Sequence, residues 1–233
     1  AVHALWTQAG AGAAALTIDA RGRDVRAARV GGIRFFSVTT GVRLVGRRPA
    51  TGIAAPADLP TSTLATAVIE AEVYGNRFRA PLGATEAHAL LAQFTLSTTL
   101  EGNRILGAGA RILGGGGHVL VDNEVAHAPA SALDLTLEST GAVLVGNEIV
   151  EPQGAGIQVA ALAAPVTARH VETVRLEGNR VSGAEAEGVL VRSSDAGRIA
   201  GLTMRSDTVE RCAVGIAIEG VGVASLSAIT TTA

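Results

Sequence analysis

The sequence predicts an all-β fold in which short parallel strands stack in successive coils, and three observations lead to that prediction. Hydrophobic residues make up 48% of the chain and aromatic residues only 3%, so aliphatic side chains must fill the core. One short motif recurs along the chain, which indicates a repeat architecture. Around that motif the apolar residues alternate with a period of two, which is typical of strands and excludes helical repeats.

The recurring motif is an aliphatic residue, two further positions, and then an amide or carboxylate residue. It ends at Asn76, Asn103, Asn123, Asn147 and Asn179, and in a variant form at Asp207. A further aliphatic or aromatic residue follows two positions after each of these, so the columns align without gaps. The motif therefore predicts coils of about 20 residues with loops of varied length.

The Asn column has a structural role in this interpretation. Asn tolerates the left-handed backbone conformation of a tight corner, and its amide can bond the equivalent amide of the next coil, as in cross-β assemblies. Small or short polar residues precede it and keep the corner compact: Gly75, Gly102, Asp122, Gly146, Gly178 and Ser206. We therefore expect a continuous side-chain ladder through the stack.

A second strand lies between successive Asn corners and is usually opened by Gly or another small residue. It covers 109–113, 132–137, 156–159, 188–191 and 215–218. Alternation points the following side chains inward: Ile112, Leu133, Leu135, Ile157, Val159, Val189, Val191, Ile216 and Ile218. A coil is therefore predicted to contain a strand, an Asn corner, a short strand, a loop, a Gly-led strand and a second loop.

This arrangement resembles the repeat of the pectate-lyase-like superfamily, whose members place an Asn ladder at one corner and begin one strand with Gly. The resemblance covers about 71–226 and implies a right-handed parallel β-helix, or β-solenoid, with an Asn ladder. We expect regular coils over 71–233 in one continuous solenoid. Residues 1–70 are expected to form N-terminal coils or a cap, with a long loop near 47–64 that is rich in Pro, Ala and Thr.

The resemblance also implies a substrate groove on the outer face of the Gly-led strands. Stacking places Arg111, Asp134 and Gln158 in one outward column, and Thr136 and Arg192 in the column beside it. Asp134 is a candidate acid, base or cation ligand, and Arg111 a candidate group for steering an anionic sugar. The alternative is an exposed ion pair between neighbouring coils, which contributes ~0 to 1 kcal/mol.

A further binding candidate lies in the largest predicted insertion, 160–172, which carries His170. Loops that extend from a rigid scaffold commonly bind ligands, although they are also where insertions are tolerated. The five histidines show no metal-ligand spacing. We therefore predict no metal site and no cofactor.

Four valines form the least expected pattern, because alternation turns Val119, Val121, Val143 and Val145 outward on two successive coils. Such a cluster indicates cover by a loop, a neighbouring domain or another subunit. The alternative is the ordinary preference of Val for a half-exposed strand.

Charge and composition restrict the partners. The formal net charge is −2 with both signs mixed along the chain, which argues against a nucleic-acid partner, and no apolar run reaches the length of a membrane span. The single cysteine, Cys212, excludes an intrachain disulfide. Because the chain opens without Met, we expect it to be part of a longer one.

Two functions remain open at this point. The first is a non-catalytic structural or binding module of a larger surface, fibre or appendage protein, which favours an extracellular or cell-surface location and self-association or adjacent domains as partners. The second is a polysaccharide lyase, epimerase or hydrolase. Against it, the sequence has no Asp-Asp pair of the polygalacturonase kind, no Asp-Pro-His-Glu of the alginate epimerases and no obvious acidic group for calcium.

Overall fold

The computed structural model describes residues 6–7, 14–20, 24–46, 68–137, 141–161, 169–193, 197–219 and 224–227. These residues form 26 strands and no helix, so none of them belongs to a helix that could cross a membrane. The strands pair in parallel within three stacked sheets. The architecture is a right-handed parallel β-helix, which confirms the predicted fold class.

Each coil gives one strand to each sheet. The pre-turn sheet lies before the Asn corner and contains β4 (Arg29–Gly31), β8 (Glu72–Tyr74), β11 (Thr99–Glu101), β14 (His118–Val121), β17 (Ala142–Val145), β20 (Arg169–Glu177), β23 (Gly197–Arg205) and β26 (Ala224–Ser227). The post-turn sheet follows the corner and contains β1 (Trp6–Thr7), β5 (Arg34–Phe36), β9 (Arg77–Arg79), β12 (Arg104–Leu106), β15 (Glu124–Ala126), β18 (Glu148–Val150), β21 (Arg180–Ser182) and β24 (Thr208–Glu210).

The Gly-led sheet completes each coil. It contains β2 (Ala14–Asp19), β6 (Thr40–Val45), β10 (His88–Leu96), β13 (Gly109–Gly116), β16 (Leu133–Leu137), β19 (Ile157–Ala161), β22 (Glu187–Ser193) and β25 (Val214–Glu219), with β3 (Val25–Arg26) and β7 (Val68–Ile69) at its margin. Two glycines, Gly156 just before β19 and Gly188 in β22, lie where the next coil approaches too closely for a side chain. A Cβ on Gly156 would lie 2.6 Å from the carbonyl oxygen of Gly188, and a Cβ on Gly188 would lie 2.8 Å from that of Gly215.

The predicted alternation holds through most of the stack. The Gly-led side chains from Ile112 to Val191 that were expected to point inward are at most 1% exposed. In β25, however, Ile216 is only half-buried and Ile218 is 36% exposed, because no described strand stacks beyond β25 in this sheet. Leu190 also differs from expectation: it lies in an outward column yet is only 4% exposed.

The Asn corner forms the predicted ladder. The Oδ1 of Asn147 accepts hydrogen bonds from the backbone N–H of Asn123 at 3.1 Å and from its Nδ2 at 2.9 Å. The same Nδ2 of Asn123 donates to the carbonyl of Leu100, one coil back, at 2.8 Å. This pattern runs from Asn76 to Asn179, so the backbone and side chain of each Asn are held by both neighbouring coils.

The structure corrects the predicted conformation of the corner. The left-handed residue is the one before the ladder position, with φ between 51° and 63° at Gly75, Gly102, Asp122, Gly146, Gly178 and Ser206. The ladder Asn residues do not have positive φ. The residue before each ladder position therefore adopts the left-handed conformation of the turn, and the hydrogen bonds of the Asn hold the turn in place.

Both ends of the described ladder depart from the pattern. Ile33 occupies the ladder position of the first coil, and its backbone N–H donates to the Oδ1 of Asn76 at 2.9 Å. At the other end, the Oδ1 of Asp207 accepts from the N–H and Nδ2 of Asn179 at 2.9 and 2.7 Å. The buried Oδ2 of Asp207 has no hydrogen-bond partner among the described residues.

Strands also occur in the first part of the chain, where β2 and β6 join the Gly-led sheet and β5 joins the post-turn sheet. The expected long loop near 47–64 lies outside the described residues. The division of the chain at residue 70 stays a prediction.

Candidate functional site

The outer face of the Gly-led sheet carries a connected polar cluster. The strand register pairs Arg111 with Asp134 and Asp134 with Gln158 on successive coils. The Nε of Arg111 lies 3.3 Å from the Oδ2 of Asp134, and the Nε2 of Gln158 donates to its Oδ1 at 3.2 Å. Ser131 in turn donates to the Oε1 of Gln158 at 3.3 Å. Both carboxylate oxygens of Asp134 are therefore engaged from neighbouring coils.

The environment of Asp134 favours its protonated form. Its side chain is only 17% exposed, whereas that of Arg111 is 46% exposed. Burial raises the pKa of Asp134, and the positive charges of Arg111 and His88 offset this only in part. A carboxyl group with a raised pKa is the kind of group that can exchange a proton with a ligand.

Two further charged residues extend the cluster and were not predicted. The Nε2 of His88 lies 3.3 Å from the Oε1 of Glu86, and the Nη1 of Arg111 lies 3.9 Å from the same oxygen. His88 is largely buried and Glu86 largely exposed. The available signal was the coil between Asn76 and Asn103, which must contain a strand of the Gly-led sheet. That strand, β10, begins with His88. The pattern of a strand that begins with Gly therefore does not predict it.

These residues border an open cavity of about 500 Å³. Its walls are formed by Thr39, Thr40, Glu86, His88, Leu91, Gln93, Arg111 and Leu113. Hydroxyl and amide groups, two apolar side chains and three ionisable groups thus face one space. Such a mixture of apolar walls with a few convergent polar groups is typical of small-molecule and sugar sites.

The other predicted binding residues lie farther away. Thr136 is half-buried beside Leu113 in the neighbouring outward column. Arg192 lies two coils beyond Thr136 and forms an ion pair with Glu219, with 3.0 Å between Nε and Oε2. His170 was expected in a loop, but its backbone belongs to β20 of the pre-turn sheet. The structure therefore does not place His170 on the sheet that carries the cavity.

The outward valines are neighbours on the pre-turn sheet. The register pairs Val119 with Val143 and Val121 with Val145, and all four side chains are half-buried. Their role as an interface stays a prediction.

The described residues contain no cluster of three or more His, Cys, Asp or Glu side chains that could hold a metal ion. Cys212 is half-buried, and its thiol donates to the carbonyl of Glu210 at 3.3 Å. The groups around Asp134 offer polar recognition and proton exchange.

No family model and no curated protein matches this sequence. Among solved structures, the chain is similar to a crystal structure of a mutant of the periplasmic alginate epimerase AlgG, at 13% identity and a TM-score of 0.45, over 93% of this chain and 47% of that one. It is also similar to a double mutant of that enzyme, at 11% identity and a TM-score of 0.36, over 93% and 75% of the two chains. The chain thus spans about half the length of the first structure, and at these identities the likeness concerns the fold alone.

Proposed function

We propose that the chain is a binding module that holds an acidic polysaccharide on the outer face of the Gly-led sheet. The observation that carries this proposal is the polar cluster of Glu86, His88, Arg111, Asp134 and Gln158. Three of its members, Glu86, His88 and Arg111, line a cavity of about 500 Å³. The cluster joins residues from several coils. An isolated ion pair, in contrast, would only stabilise the contact between two coils.

The charges and polar groups of the cavity suit a sugar acid. The Nε of Arg111 pairs with Asp134 and its Nη1 lies 3.9 Å from Glu86, yet the side chain is 46% exposed, so its Nη2 can meet a carboxylate of the ligand. Thr39, Thr40 and Gln93 offer hydroxyl and amide groups for sugar hydroxyls. Leu91 and Leu113 give an apolar surface for the face of a sugar ring.

The stack supports a role as a rigid module within a larger surface, fibre or appendage protein. A ladder that fixes each coil to two neighbours holds the outer columns in constant register. A polysaccharide ligand is met outside the cytoplasm, so we extend the proposal to an extracellular or cell-surface location, with adjacent domains as partners.

Binding is tested with immobilised polyuronates and neutral polysaccharides. Parent protein should bind the polyuronates, and Arg111→Gln should weaken that binding by roughly ten-fold or more, because a charge-assisted hydrogen bond is lost. Arg192→Gln is the matched control, since this arginine lies on the same face but away from the cavity, and its binding should equal that of the parent. Binding that survives Arg111→Gln, or that prefers neutral chains, would contradict the proposal.

Catalysis is a second candidate, favoured by the raised pKa of Asp134 next to His88 and Arg111. A carboxyl group with a raised pKa and an imidazole on one groove could exchange protons with a sugar ring, as a lyase, epimerase or hydrolase requires. Asp134→Asn should then abolish turnover in a polysaccharide screen while the fold, followed by circular dichroism, persists. Turnover that persists in the variant would exclude Asp134 as a catalytic residue. No turnover by the parent on any substrate would contradict the catalytic function and leave the binding function as the proposal.

A further inference from the structure

The outer face of the post-turn sheet carries a second cavity, which we call the post-turn groove. It crosses the strands β9, β12, β15 and β18 and has a volume of about 410 Å³. The outward side chains of these strands form its two walls. One wall consists of Arg77, Arg104, Glu124 and Glu148, and the other of Arg79, Leu106, Ala126 and Val150.

The end of the groove at β9 carries arginines without a carboxylate partner. Arg77 and Arg79 lie two residues apart on β9 and are both exposed, and Arg34 is the neighbour of Arg77 on the preceding coil. None of the three forms an ion pair with a described residue. Arg104, in contrast, is bound to Glu124 through two nitrogens. Since like charges on paired strands repel one another, this end of the groove favours an anion.

The wall on the next three coils is apolar. Leu106 follows Arg79 in the same column and is 43% exposed. Ala126 and Val150 continue the column on β15 and β18, and both are half-buried. The groove thus changes along the stack from a cationic end to an apolar strip.

A ligand that fits both ends has one compact anionic group and a linear apolar chain. We propose that the post-turn groove binds such an amphiphile, a long-chain carboxylate, with its head group between Arg77 and Arg79 and its chain along the apolar strip. Guanidinium groups bind a carboxylate through charge-assisted hydrogen bonds, and the buried methylene groups add hydrophobic stabilisation. Three strand spacings of about 4.8 Å separate β9 from β18, a distance that suits an extended chain of roughly ten to twelve carbons.

Glu148 favours this ligand over a polyanion. Its side chain is exposed at the far end of the groove, and its neighbour on the next coil, Arg180, is bound to Glu210. A polymer with an anionic group on every unit would bring a like charge close to Glu148 and place it against Val150. A ligand with a single head group leaves this end of the groove to an apolar chain.

Isothermal titration calorimetry with dodecanoate, below the concentration at which it forms micelles, tests the inference. The parent should bind it, and Arg77→Gln with Arg79→Gln should weaken binding at least ten-fold, because charge-assisted hydrogen bonds are lost. Arg205→Gln is the matched control, since Arg205 is an exposed arginine on the pre-turn sheet, and it should bind as the parent does. Circular dichroism verifies that each variant is folded. No binding by the parent, or unchanged binding in the folded double variant, overturns the inference.

A ligand series tests the two ends of the groove separately. Octanoate should bind at least ten-fold more weakly than dodecanoate, because its shorter chain buries fewer methylene groups. Dodecyltrimethylammonium, which has the same chain and the opposite charge, should not bind. Dodecanedioate should also bind at least ten-fold more weakly, since its second carboxylate reaches Glu148. Dodecanedioate that binds as tightly as dodecanoate would identify a polyanion site, and binding to anionic phospholipid vesicles without binding to dodecanoate would identify a membrane surface. Either result overturns the inference.

The groove lies on a different sheet from the cluster around Asp134, so the two sites can be tested independently. Arg111→Gln should leave the binding of dodecanoate unchanged, and Arg77→Gln with Arg79→Gln should leave the binding of polyuronates unchanged. Loss of dodecanoate binding in Arg111→Gln would place this ligand on the Gly-led sheet and overturn the inference.

Discussion

Asp207 is the last described residue of the ladder. Its side chain is a carboxylate at a position where an amide could make more hydrogen bonds. In each interior Asn the Nδ2 donates to a carbonyl one coil back, and the equivalent carbonyl for position 207 is that of Leu176. The buried Oδ2 of Asp207 has no donor to give it among the described residues. Burial accordingly raises the pKa of this carboxyl group, although hydrogen bonds from Asn179 oppose the shift.

Asp207→Asn should therefore stabilise the protein by about 1 to 2 kcal/mol at neutral pH, because it turns an orphaned acceptor into a donor. Since the pKa of Asp207 is raised in the fold, the folded parent takes up a proton before the unfolded chain does as the pH falls. The contribution of Asp207 to the stability of the parent thus rises as the pH falls, and the difference in unfolding free energy between parent and variant should narrow. Urea unfolding at several pH values measures both effects, and an equal or lower midpoint for the variant at neutral pH would refute the assignment.

Asn147 lies inside the ladder, where the opposite change applies. Asn147→Ala removes donors to Leu120 and Asn179 and the acceptor for Asn123. We expect a loss of about 1 to 3 kcal/mol in the free energy of unfolding, since buried partners lose their hydrogen bonds. Gln153→Ala on an exposed side chain is the control and should leave the midpoint unchanged. If both variants unfold alike, the ladder does not stabilise the stack.

At the scale of the element, the corner between β13 and β14 holds a buried histidine. His118 is 0% exposed, and its Nδ1 accepts a hydrogen bond from the backbone N–H of Thr98 at 3.4 Å. Its Nε2 makes no well-formed hydrogen bond to a described residue. Burial lowers the pKa of His118 to about 4, and the backbone of Gly114 opposes the shift only in part.

Because the unfolded chain takes up this proton near pH 6.5 and the fold does not until about pH 4, the contribution of His118 is present above pH 6.5 and is lost as the pH falls towards 4. The full loss is about 3 kcal/mol. His118→Leu should flatten that part of the stability profile measured by urea unfolding between pH 4 and 7. An unchanged slope in the variant would assign the acid sensitivity to other groups.

The elements divide into those that the sequence predicts and those that it does not. The Asn motif and the period of two locate the strands around every ladder residue, because each depends on local chemistry. The strand β10 was missed since it opens with His88, and β20 was expected to be partly a loop since its contacts come from the neighbouring coil. The left-handed residue was assigned to Asn because Asn tolerates that conformation, although Gly at the preceding position tolerates it better.

The site follows the same division. The register alone predicts that Arg111, Asp134 and Gln158 are neighbours, because equivalent residues stack in a solenoid. It does not predict the contribution of Glu86 and His88, since the loop that carries Glu86, between β9 and β10, is longer than the corresponding loops of the other described coils. The burial that raises the pKa of Asp134 is likewise a property of the folded groove.

For the whole molecule, coils should be removable as units. Deleting 104–123 excises β12, β13 and β14 and joins Asn103 to β15, so Asn103 then meets Asn147 and every sheet keeps its inward columns. We expect a folded protein of lower stability, because a repeat and one interface are lost. Circular dichroism and thermal unfolding measure this. Deleting only 104–113 should abolish cooperative unfolding, and equal behaviour of the two deletions would contradict a unit of one coil.

The number of residues between successive ladder positions varies, whereas the hydrogen bonds between the ladder side chains do not. Successive ladder residues are 20 positions apart from Asn103 to Asn123 and 32 apart from Asn147 to Asn179, yet both pairs bond side chain to side chain at 2.9 Å. Additional chain between two ladder residues therefore leaves the hydrogen bond between their side chains unchanged. One coil can in this way acquire additional residues during evolution while the ladder still holds it in register with its neighbours, so the outer faces of the other coils keep their spacing.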